Sequence, residues 1–427
     1  MLEIKYIREN PEIVRENIKR KFQDEKLSLL EDLLKEDKEY RSLLKESESL
    51  RSSRNKISEL INSAKKEGRD ASEYITQAKE LPSKIKEIEQ RANNLKKSII
   101  EKQKQIPNII AEDVPSGTSE EDNVEIKRGK EPKKFDFTVK NHVELMEDLD
   151  LANFESSAKV AGTGFYYIKN ELAILNQALI RFAIDFMRDK KYEYIETPLM
   201  LSEECLYGSM DKAAIEESVY TLNDGGGLIG TAEQSLLAMH TGDTIPESEL
   251  PKKYFSYSMC FRKEIGAHGI NEKGLWRTHQ FNKVEQFIFC TPEESSILYE
   301  ELLNNSIEIL EALELPYRVI ECCTGDLADW KYKSADLEVW RPTTNSYGEV
   351  MSLSNCTSYQ AEALGIRCID KHNQRRLLHT LNDTAMATSR ILVTILENNQ
   401  QEDGSIKIPK CLVKHTGFET IKPKNIK

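Results

Sequence analysis

The sequence lacks the patterns that place cysteine and histidine in metal sites or disulfide frameworks. Its eight cysteines form no CxxC pair, and its seven histidines form no HxxxH pair. Zinc-binding and disulfide-rich folds require such spacings. We therefore predict reduced, mostly buried thiols and no zinc. We interpret His268 and His279 as loop or core histidines in preference to metal ligands.

Long hydrophobic runs are also missing. The first residues, MLEIKYIRENPEIVRENIKRK, mix charges throughout and contain no apolar segment like that of a secretion signal. No stretch of the sequence is apolar over the length that crossing a bilayer requires. We therefore expect a cytoplasmic protein with no membrane partner.

What is present is a long and highly charged chain. Its 427 residues exceed one ordinary core and predict two or three domains. Charged residues make up 31% and hydrophobic residues 39%. This balance is typical of globular proteins with long surface helices.

The net charge of −12 argues at first against a nucleic-acid partner, because phosphates are bound by local positive charge. The charge is unevenly distributed, however. Residues 41–105 carry 16 Lys and Arg against 10 acidic residues, a local charge of +6 that leaves −18 on the rest. From charge alone, this stretch is either a nucleic-acid-binding surface or the solvated face of a long helix.

The same stretch carries the apolar repeat of a coiled coil. The repeating positions are Leu43, Leu50, Ile57 and Ala64, then Ile85, Ile88, Ala92, Leu95 and Ile99. Residues 68–72 have turn chemistry, and Ser72 is predicted to cap a second helix. We predict two antiparallel helices of about 45–60 Å at 1.5 Å per residue. Pro82 is expected to kink or restart the second helix.

A change of composition divides the chain near residue 110. From Ile106 the sequence is rich in Pro, Gly, Ser and acidic residues, which indicates a linker. Beyond it, amphipathic helices alternate with strand-like runs such as YFSYSMCF and KVEQFIFC. We predict an α+β domain with an antiparallel sheet over residues 111–427, and a helical domain over residues 1–110.

Residues 260–289 form the densest group of chemically useful side chains, predicted as a β-hairpin with Gly266, Gly269 and Gly274 in its loop. Strand alternation places five polar or aromatic residues on one face. These are Arg262, Glu264, Phe281, Lys283 and Glu285. An arginine fork matches phosphate oxygens, and an aromatic ring can stack on a base. The alternative is an exposed hairpin held by salt bridges.

Five strings in chain order resemble the seryl form of the class II aminoacyl-tRNA synthetases. The hairpin string FRKEIG…GLWRTHQFNKVEQF is similar to the second signature motif of that class. YEYIETPLM resembles the first motif, which forms the dimer interface, and LHTLNDTAMATSRILVTILENNQ resembles the third. LIGTAEQSL is similar to the TAE loop of the seryl family, and DLEVWRPTTNSYGEVMSLSNCTSYQAE adds a fifth match. The resemblance extends over residues 1–420.

This resemblance implies a fold and an activity. The fold is α+β: an N-terminal antiparallel coiled-coil arm, followed by a class II antiparallel-sheet catalytic domain flanked by helices. The activity is that of a homodimeric serine–tRNA ligase that uses ATP and Mg²⁺ to activate serine. The arm would bind tRNA(Ser), with tRNA(Sec) as a second candidate substrate.

The resemblance also implies residues that bind ATP. Arg262 and Arg390 would be catalytic: Arg262 would neutralise the α-phosphate, and Arg390 would reach the γ-phosphate. Phe281 would stack on the adenine, Glu264 would bind its amino group, and Arg277 would hold the phosphate tail. Glu349 and Ser352 would hold Mg²⁺. The implied ATP-binding set also contains Lys263, Val350 and Met351.

Serine would be bound by a second group of residues. The implied set is Thr231, Ala232, Glu233, Glu285, Asn382 and Thr384, with Glu285 as the partner of the serine hydroxyl. Met351 replaces the serine that is usual before Ser352, and two further stretches depart from the family pattern. Residues 360–363 read QAEA where QARR is usual, and residues 382–384 read NDT where NGS is usual. Loss of that glycine predicts added bulk near the serine site.

Three other hypotheses remain open. A relative could transfer seryl-adenylate to a carrier protein, although a basic coiled coil has no use there. A catalytically silent tRNA-binding scaffold is a second alternative, although Arg262 and Arg390 are both present. GGGLIG (225–230) matches a dinucleotide-binding turn, but without βαβ alternation around it we interpret it as a hairpin connection.

Overall fold

The structure is a computed structural model that describes residues 1–264 and 273–423. Gly266, His268 and Gly269 of the predicted hairpin loop lie outside the described residues. The chain forms two compact units. One takes residues 2–19 and 23–107, and the other takes residue 1, residues 20–22 and the chain from residue 108 onward.

The N-terminal unit is helical. Its helices are α1 (Ile4–Glu9), α2 (Pro11–Arg20), α3 (Lys26–Lys66) and α4 (Ser72–Gln103). Arg51 Nε lies 3.0 Å from Glu89 Oε1, and Lys102 Nζ lies 2.8 Å from Glu36 Oε1. Residue numbers rise on one helix as they fall on the other, so α3 and α4 are antiparallel. This confirms the predicted helical pair.

The predicted apolar seam lies between these two helices. Leu43, Ala64, Ile85, Ala92 and Ile99 are buried. Each large aliphatic side chain removed from water stabilises the pair by roughly 1.5–3 kcal/mol. Polar Ser47 is also buried in the seam, where its hydroxyl contacts Glu89 at 3.3 Å, so the seam tolerates it.

Two details of the arm differ from the sequence prediction. Ser72 does not cap α4, because it is the first helical residue and Ala71 precedes it as the cap position. The Asp70 carboxylate instead accepts hydrogen bonds from the Ser72 amide (2.9 Å) and hydroxyl (2.6 Å). Pro82 does not restart the helix, since α4 continues through it.

The larger unit is an α+β domain. Its helices are α5 (His142–Asp148), α6 (Phe154–Ala161), α7 (Asn170–Asp189), α8 (Glu203–Ser209), α9 (Lys212–Ser218), α10 (Ala232–Ala238), α11 (Ser295–Ala312), α12 (Tyr359–Ala363), α13 (Thr388–Asn399) and α14 (Lys410–Thr416). Short 3₁₀ turns span Glu120–Asp122 and Glu247–Glu249.

The strands are β1 (Val124–Gly129), β2 (Glu193–Tyr194), β3 (Met200–Leu201), β4 (Gly227–Leu228), β5 (Thr244–Pro246), β6 (Lys252–Phe261), β7 (Gln280–Cys290), β8 (Tyr317–Glu321), β9 (Lys333–Arg341), β10 (Ser346–Thr357), β11 (Arg367–Ile369), β12 (Arg375–Arg376), β13 (His379–Ala387), β14 (Ile406–Lys407) and β15 (Thr420–Ile421).

The main sheet has eight strands in the order β1-β8-β9-β10-β13-β7-β6-β2. All neighbours are antiparallel except β2 and β6, which are parallel at the edge. The predicted antiparallel sheet is therefore confirmed. The glycine-rich run 225–230 belongs to a hairpin closed by a Thr221–Gly227 bridge, as the sequence indicated.

The predicted linker is partly ordered structure. Residues 124–129 of that segment form β1, an edge strand that pairs with β8. Polar composition hid this strand, because an edge strand with exposed side chains needs no apolar face.

The two faces of the main sheet have different roles. On one face, α7, α11 and α13 pack their apolar side chains against the strands and form the principal core. On the other face, α10 and α12 join a smaller cluster with Phe287 and Phe289. In the described chain, no helix combines the length and apolar character needed to cross a bilayer.

Candidate active site

A cavity of about 470 Å³ opens on the face of the sheet opposite the principal core. Strands β7, β10 and β13 supply its floor. Most of the residues that the sequence singled out line it: Thr231, Glu233, Arg262, Glu264, Arg277, Phe281, Glu349, Val350, Ser352, Asn382, Thr384 and Arg390. Segments far apart in sequence thus converge on one space.

Four of the singled-out residues do not line the cavity. Lys263 is directed away from it, with Nζ 3.4 Å from the Glu216 carbonyl oxygen. Met351 is buried in the principal core, and Ala232 is fully buried in α10. Glu285 lies on the cavity side of β7 but is covered by neighbouring side chains, and only 1% of its surface is exposed.

Two β-bulges decide which side chains face the cavity. In β10 the register shifts between Glu349 and Met351, and in β13 it shifts between Thr384 and Met386. A bulge adds one residue to a strand and re-aims the side chains beside it. Glu349, Val350 and Ser352 can therefore line the same cavity, which simple alternation does not allow.

One end of the cavity presents arginines. The Arg262 Nε donates to the Gly230 carbonyl oxygen at 3.1 Å, and its guanidinium carbon lies 5.3 Å from the centre of the Phe281 ring. Arg277 donates to Glu264 Oε2 at 2.9 Å. Arg262 and Glu264 lie beyond the end of β6, yet the Arg262 amide still bonds to the His279 carbonyl oxygen at 3.0 Å. The hairpin therefore holds both residues at the cavity mouth.

Arg390 joins the third signature segment to this end. Its NH1 donates to the Glu349 carbonyl oxygen at 2.8 Å and lies 3.1 Å from Glu349 Oε2. Burial is the largest single influence on the pKa of Glu349 and would raise it, but the charges of Arg390, Arg262 and Lys331 together hold that pKa below its usual range. The Trp276 ring contacts both Arg390 and Arg341, whose guanidinium carbons lie 5.5 and 4.2 Å from its centre.

The other end of the cavity contains a buried ion pair. Lys283 Nζ lies 2.5 Å from Glu285 Oε2 and 3.2 Å from the Thr231 hydroxyl. The Thr231 hydroxyl in turn donates to Glu285 Oε2 at 3.1 Å. These contacts hold the buried Glu285 carboxylate on the cavity side of β7, behind Thr231 and Lys283, so its influence on a ligand passes through those two side chains.

Glu233 is the acidic side chain that faces the cavity at this end. Its Oε1 accepts from the side-chain amides of Gln360 at 2.7 Å and Asn382 at 3.1 Å. Burial is the largest influence on its pKa and raises it, and the nearby Glu285 raises it further. The Gln360 amide lowers it. The net effect is a pKa of Glu233 above its usual range, which the Gln360 amide, Lys283 and Lys331 reduce.

Sequence reasoning missed a cation here. Lys331 lines the cavity, and its Nζ donates to Ser334 Oγ at 3.1 Å. Burial by itself lowers the pKa of Lys331, but Asp336 and other nearby acidic groups outweigh it and raise that pKa. Lys331 belongs to no motif and stands in a short loop before β9, so no local pattern distinguished it.

The two stretches that depart from the family pattern have structural explanations. Asp383 adds no bulk to the cavity, so that prediction was wrong: in strand alternation it faces the opposite side of the sheet from Asn382 and Thr384. There its Oδ2 accepts from Gln286 at 3.0 Å and Ser306 at 2.5 Å. Glu362 pairs with Arg367 at 2.8 Å, away from the cavity.

The donor set at the arginine end suits a hard cation. Glu349 offers a carboxylate and Ser352 a hydroxyl, both lining the cavity. Oxygen ligands of this kind are those that Mg²⁺ prefers. The ionised state of Glu349, held by Arg390, is the state that such a ligand requires.

An antiparallel sheet on which the second and third signature segments line one cavity defines a class II aminoacyl-tRNA synthetase. Family models agree with this class. Residues 220–399 match the class II tRNA synthetase core domain (G, H, P, S and T), and residues 1–110 match the seryl-tRNA synthetase N-terminal domain.

Known proteins narrow the assignment further. The chain is 45% identical over 415 residues to a serine–tRNA ligase of Methanospirillum hungatei, covering 96% of this chain and 98% of that one. The seryl-tRNA synthetase of Pyrococcus horikoshii, solved with ATP, superposes with a TM-score of 0.95 at 40% identity over 100% of both chains. A serine–tRNA ligase of Naegleria fowleri, solved with AMP, gives a TM-score of 0.89 at 30% identity over 100% of this chain and 99% of that one.

The chain belongs to the seryl-tRNA synthetase family. Its activity is that of a serine–tRNA ligase, which activates serine with ATP and transfers it to tRNA(Ser).

Proposed function

We propose that the cavity binds ATP at its arginine end and serine at its Glu233 end, so that the two substrates meet over β7, β10 and β13. The observation that carries this proposal is the convergence of Arg262, Arg390 and Glu233 on one cavity. The serine carboxylate is already a nucleophile. Adenylate formation therefore needs positioning and charge neutralisation more than a general base.

The side chains divide the work of the first step. The serine carboxylate oxygen forms a bond to the α-phosphorus, and the bond from that phosphorus to the pyrophosphate oxygen breaks. Within the described chain, the Arg262 guanidinium makes its hydrogen bond through Nε alone. Its two terminal amino groups are therefore the donors that neutralise the α-phosphate. Arg277 and Arg390 hold the phosphate tail, and Phe281 and Glu264 hold the adenine.

Glu349 and Ser352 would hold Mg²⁺, which supplies further charge neutralisation on the phosphates when it is bound. Arg390 contributes to this site by keeping Glu349 ionised. Val350 lines the cavity beside Glu349. Lys263 and Met351 do not line it, so they support the residues around the ATP site without contacting ATP.

At the serine end, Glu233 binds the ammonium group, and Thr231, Asn382 and Thr384 surround the hydroxymethyl group. Ala232 lies directly behind them in α10. Glu285 acts on the serine hydroxyl through the Thr231 hydroxyl that it holds. A site that hydrogen-bonds the hydroxyl rejects alanine, which would leave buried polar groups unpaired.

The direct test is ATP–pyrophosphate exchange with serine, threonine and alanine as alternative substrates. We expect exchange with serine and at least about 100-fold less with alanine, since a site built around a hydroxyl discriminates strongly against its absence. Exchange with alanine at a rate near that of serine would contradict the proposed pocket.

We also propose a division of labour between residues 1–110 and 111–427. The N-terminal domain would bind tRNA through the basic stretch 41–105, and the larger domain would perform the chemistry. Arg54, Lys56 and Lys65 are exposed on α3, where phosphates could reach them.

This division is tested by changing Arg54, Lys56 and Lys65 to alanine together. Charging of tRNA(Ser) should fall steeply at low salt and should depend less on salt than in the native enzyme, because fewer phosphate contacts remain, while pyrophosphate exchange is unchanged. A matched variant lacking Lys5, Lys19 and Lys38, outside the basic stretch, controls for net charge. Equal loss of exchange and charging would refute the division. The same assay with tRNA(Sec) tests whether that tRNA is a second substrate.

We further propose that the enzyme is a homodimer in the cytoplasm. Leu199 and Met200 of the first signature segment are 38 and 58% exposed. Exposed apolar side chains of this kind fit an interface when they form a patch. Met200→Glu should shift the mass measured by light scattering toward the monomer. The location is consistent with eight unbonded cysteines and is tested by cell fractionation.

A further inference from the structure

The orientation of the Glu233 carboxylate is set by two side-chain amides, and both of them bond to the same oxygen. Oε1 accepts both amide hydrogen bonds, from Gln360 and Asn382. Within the described chain, Oε2 accepts none, so it is the oxygen left for a ligand in the cavity. One of the two amide residues must decide which carboxylate oxygen bonds to the protein and which is left for a ligand.

Gln360 has the more constrained geometry of the two amides. It is fully buried in α12, and it does not line the cavity. Its Nε2 donates to Glu233 Oε1 at 2.7 Å and to the Ser209 carbonyl oxygen at 3.0 Å. Its Oε1 accepts from the Thr380 hydroxyl at 2.7 Å.

These contacts fix the orientation of the amide. A backbone carbonyl only accepts hydrogen bonds, so the nitrogen of Gln360 must face Ser209. The same nitrogen then has its second hydrogen directed at Glu233, and the amide oxygen faces Thr380. The assignment follows from the bonding partners alone, which is how amide orientation is established. Helix α8, strand β13 and helix α12 together hold this one amide.

We propose that Gln360 is the positioning residue of the serine site, which holds Glu233 in place and leaves its Oε2 for the ammonium group of the amino acid. This rests on the proposed role of Glu233 in binding serine. Gln360 touches no substrate, and it acts only through the carboxylate that it orients. A hydrogen bond to the charged form of a buried carboxyl favours that form.

The test is serine-dependent pyrophosphate exchange by the full-length enzyme between pH 5.5 and 9. In Gln360→Met, which keeps the size but removes both donors, we expect the KM for serine to rise about 10- to 100-fold, as for loss of a hydrogen bond to a charged group. The KM for ATP should stay within about twofold of the native value, since the arginine end is untouched.

The pH profile separates positioning from structural damage. The acidic limb of kcat/KM for serine should move to higher pH in Gln360→Met, because Glu233 loses a bond that favours its ionised form. Gln360→Glu should move it further, since two adjoining carboxyl groups share a proton. Glu362→Gln, on the same short helix but paired with Arg367, is the matched control and should leave both constants unchanged.

Thr380→Val provides a second variant that removes only the donor to Gln360 Oε1. In this variant the acidic limb of kcat/KM for serine should also move to higher pH, but by less than in Gln360→Met. An unchanged serine KM and limb in folded Gln360→Met would overturn the proposal. So would equal increases in both KM values with a fall in Tm, which indicates a structural role alone. If Glu233→Gln also leaves the serine KM unchanged, the proposed role of Glu233 fails instead.

Discussion

The two ends of the cavity hold their charges in different ways. At the arginine end, Arg262, Arg277 and Arg390 line the cavity and are only partly buried, with 30% of the Arg277 side chain and 22% of the Arg390 side chain exposed. At the serine end, Glu233, Lys283 and Glu285 are held by buried hydrogen bonds. A triphosphate is large and highly charged, so arginine forks at an open mouth bind it well. A small neutral hydroxyl must be recognised by polar groups whose positions are already fixed.

This difference predicts that substitutions at the two ends will separate the kinetic constants for ATP and serine. The variants that test this best alter the contacts at one end of the cavity and leave those at the other end intact.

The largest effect is expected at Arg262. Arg262→Ala should lower kcat/KM for pyrophosphate exchange by about 10²- to 10³-fold, since it removes a donor to developing phosphate charge. Exposed Arg375 gives a matched control, and Arg375→Ala should have little effect. Far-ultraviolet circular dichroism checks that the fold is retained. Near-native activity of Arg262→Ala would remove this residue from the phosphate site.

The next effect is at the serine end. Glu233→Gln keeps the shape but removes the charge that binds an ammonium group, so the KM for serine should rise by about 10- to 100-fold. Steady-state exchange at varied serine and fixed ATP measures it. The KM for ATP should change by less than about threefold. Equal changes in the two constants would show that the ends are not independent.

Substitution of Phe281 should have a smaller effect, and it should change the KM for ATP and not the KM for serine. Phe281→Leu keeps apolar bulk but removes the aromatic face, so the KM for ATP should rise by about 3- to 10-fold, in line with the value of one stacking contact. The KM for serine should be unchanged. Pyrophosphate exchange at varied ATP measures the KM for ATP. A rise in the KM for serine alone would contradict the assignment of the arginine end to the nucleotide.

The smallest effect concerns Asp383, on the core side of β13. Burial raises the pKa of Asp383 well above its usual range, and no cation pairs with it in the described part of the chain. Its folded pKa lies above its unfolded pKa. Stability from this group is therefore complete below about pH 4 and is lost as pH rises through the folded pKa.

Asp383→Asn removes the ionisable group while keeping an acceptor for Gln286 or Ser306. Its Tm at pH 8.5 should exceed that of the native enzyme by about 2 °C, the shift that roughly 1 kcal/mol produces in a large domain. The gain should disappear near pH 4.5, where Asp383 is protonated in the folded state. Differential scanning calorimetry across this range is the measurement. A gain that is the same at both pH values would show that ionisation is not the cause.

Much of the fold followed from the sequence, because its main features are periodic. The seam of α3 and α4, the antiparallel hairpin of β6 and β7 and the glycine-rich turn at 225–230 were all predicted from local patterns. The edge strand β1 was not, since exposed strands lack alternation. Ser72 was misassigned because Asp70, two residues earlier, offers the better acceptor.

The candidate site was only partly predictable. Motif resemblance identified residues that reach the cavity, such as Arg262 and Asn382. It did not distinguish them from Met351 or Lys263, which do not. The β-bulge at 349–351 changes which side chains face inward, and a bulge has no local pattern that marks it here.

The sequence by itself determined the class of protein, the paired helices of the arm and the identity of the arginines, because each depends on neighbouring residues or on a motif. The tertiary structure alone decided that Glu285 is covered by Thr231 and Lys283, that Asp383 faces the core and that Lys331 and Gln360 belong to the serine end. These facts depend on which distant segments pack together. That choice is set by the burial of the whole sheet and not by any short stretch of the chain.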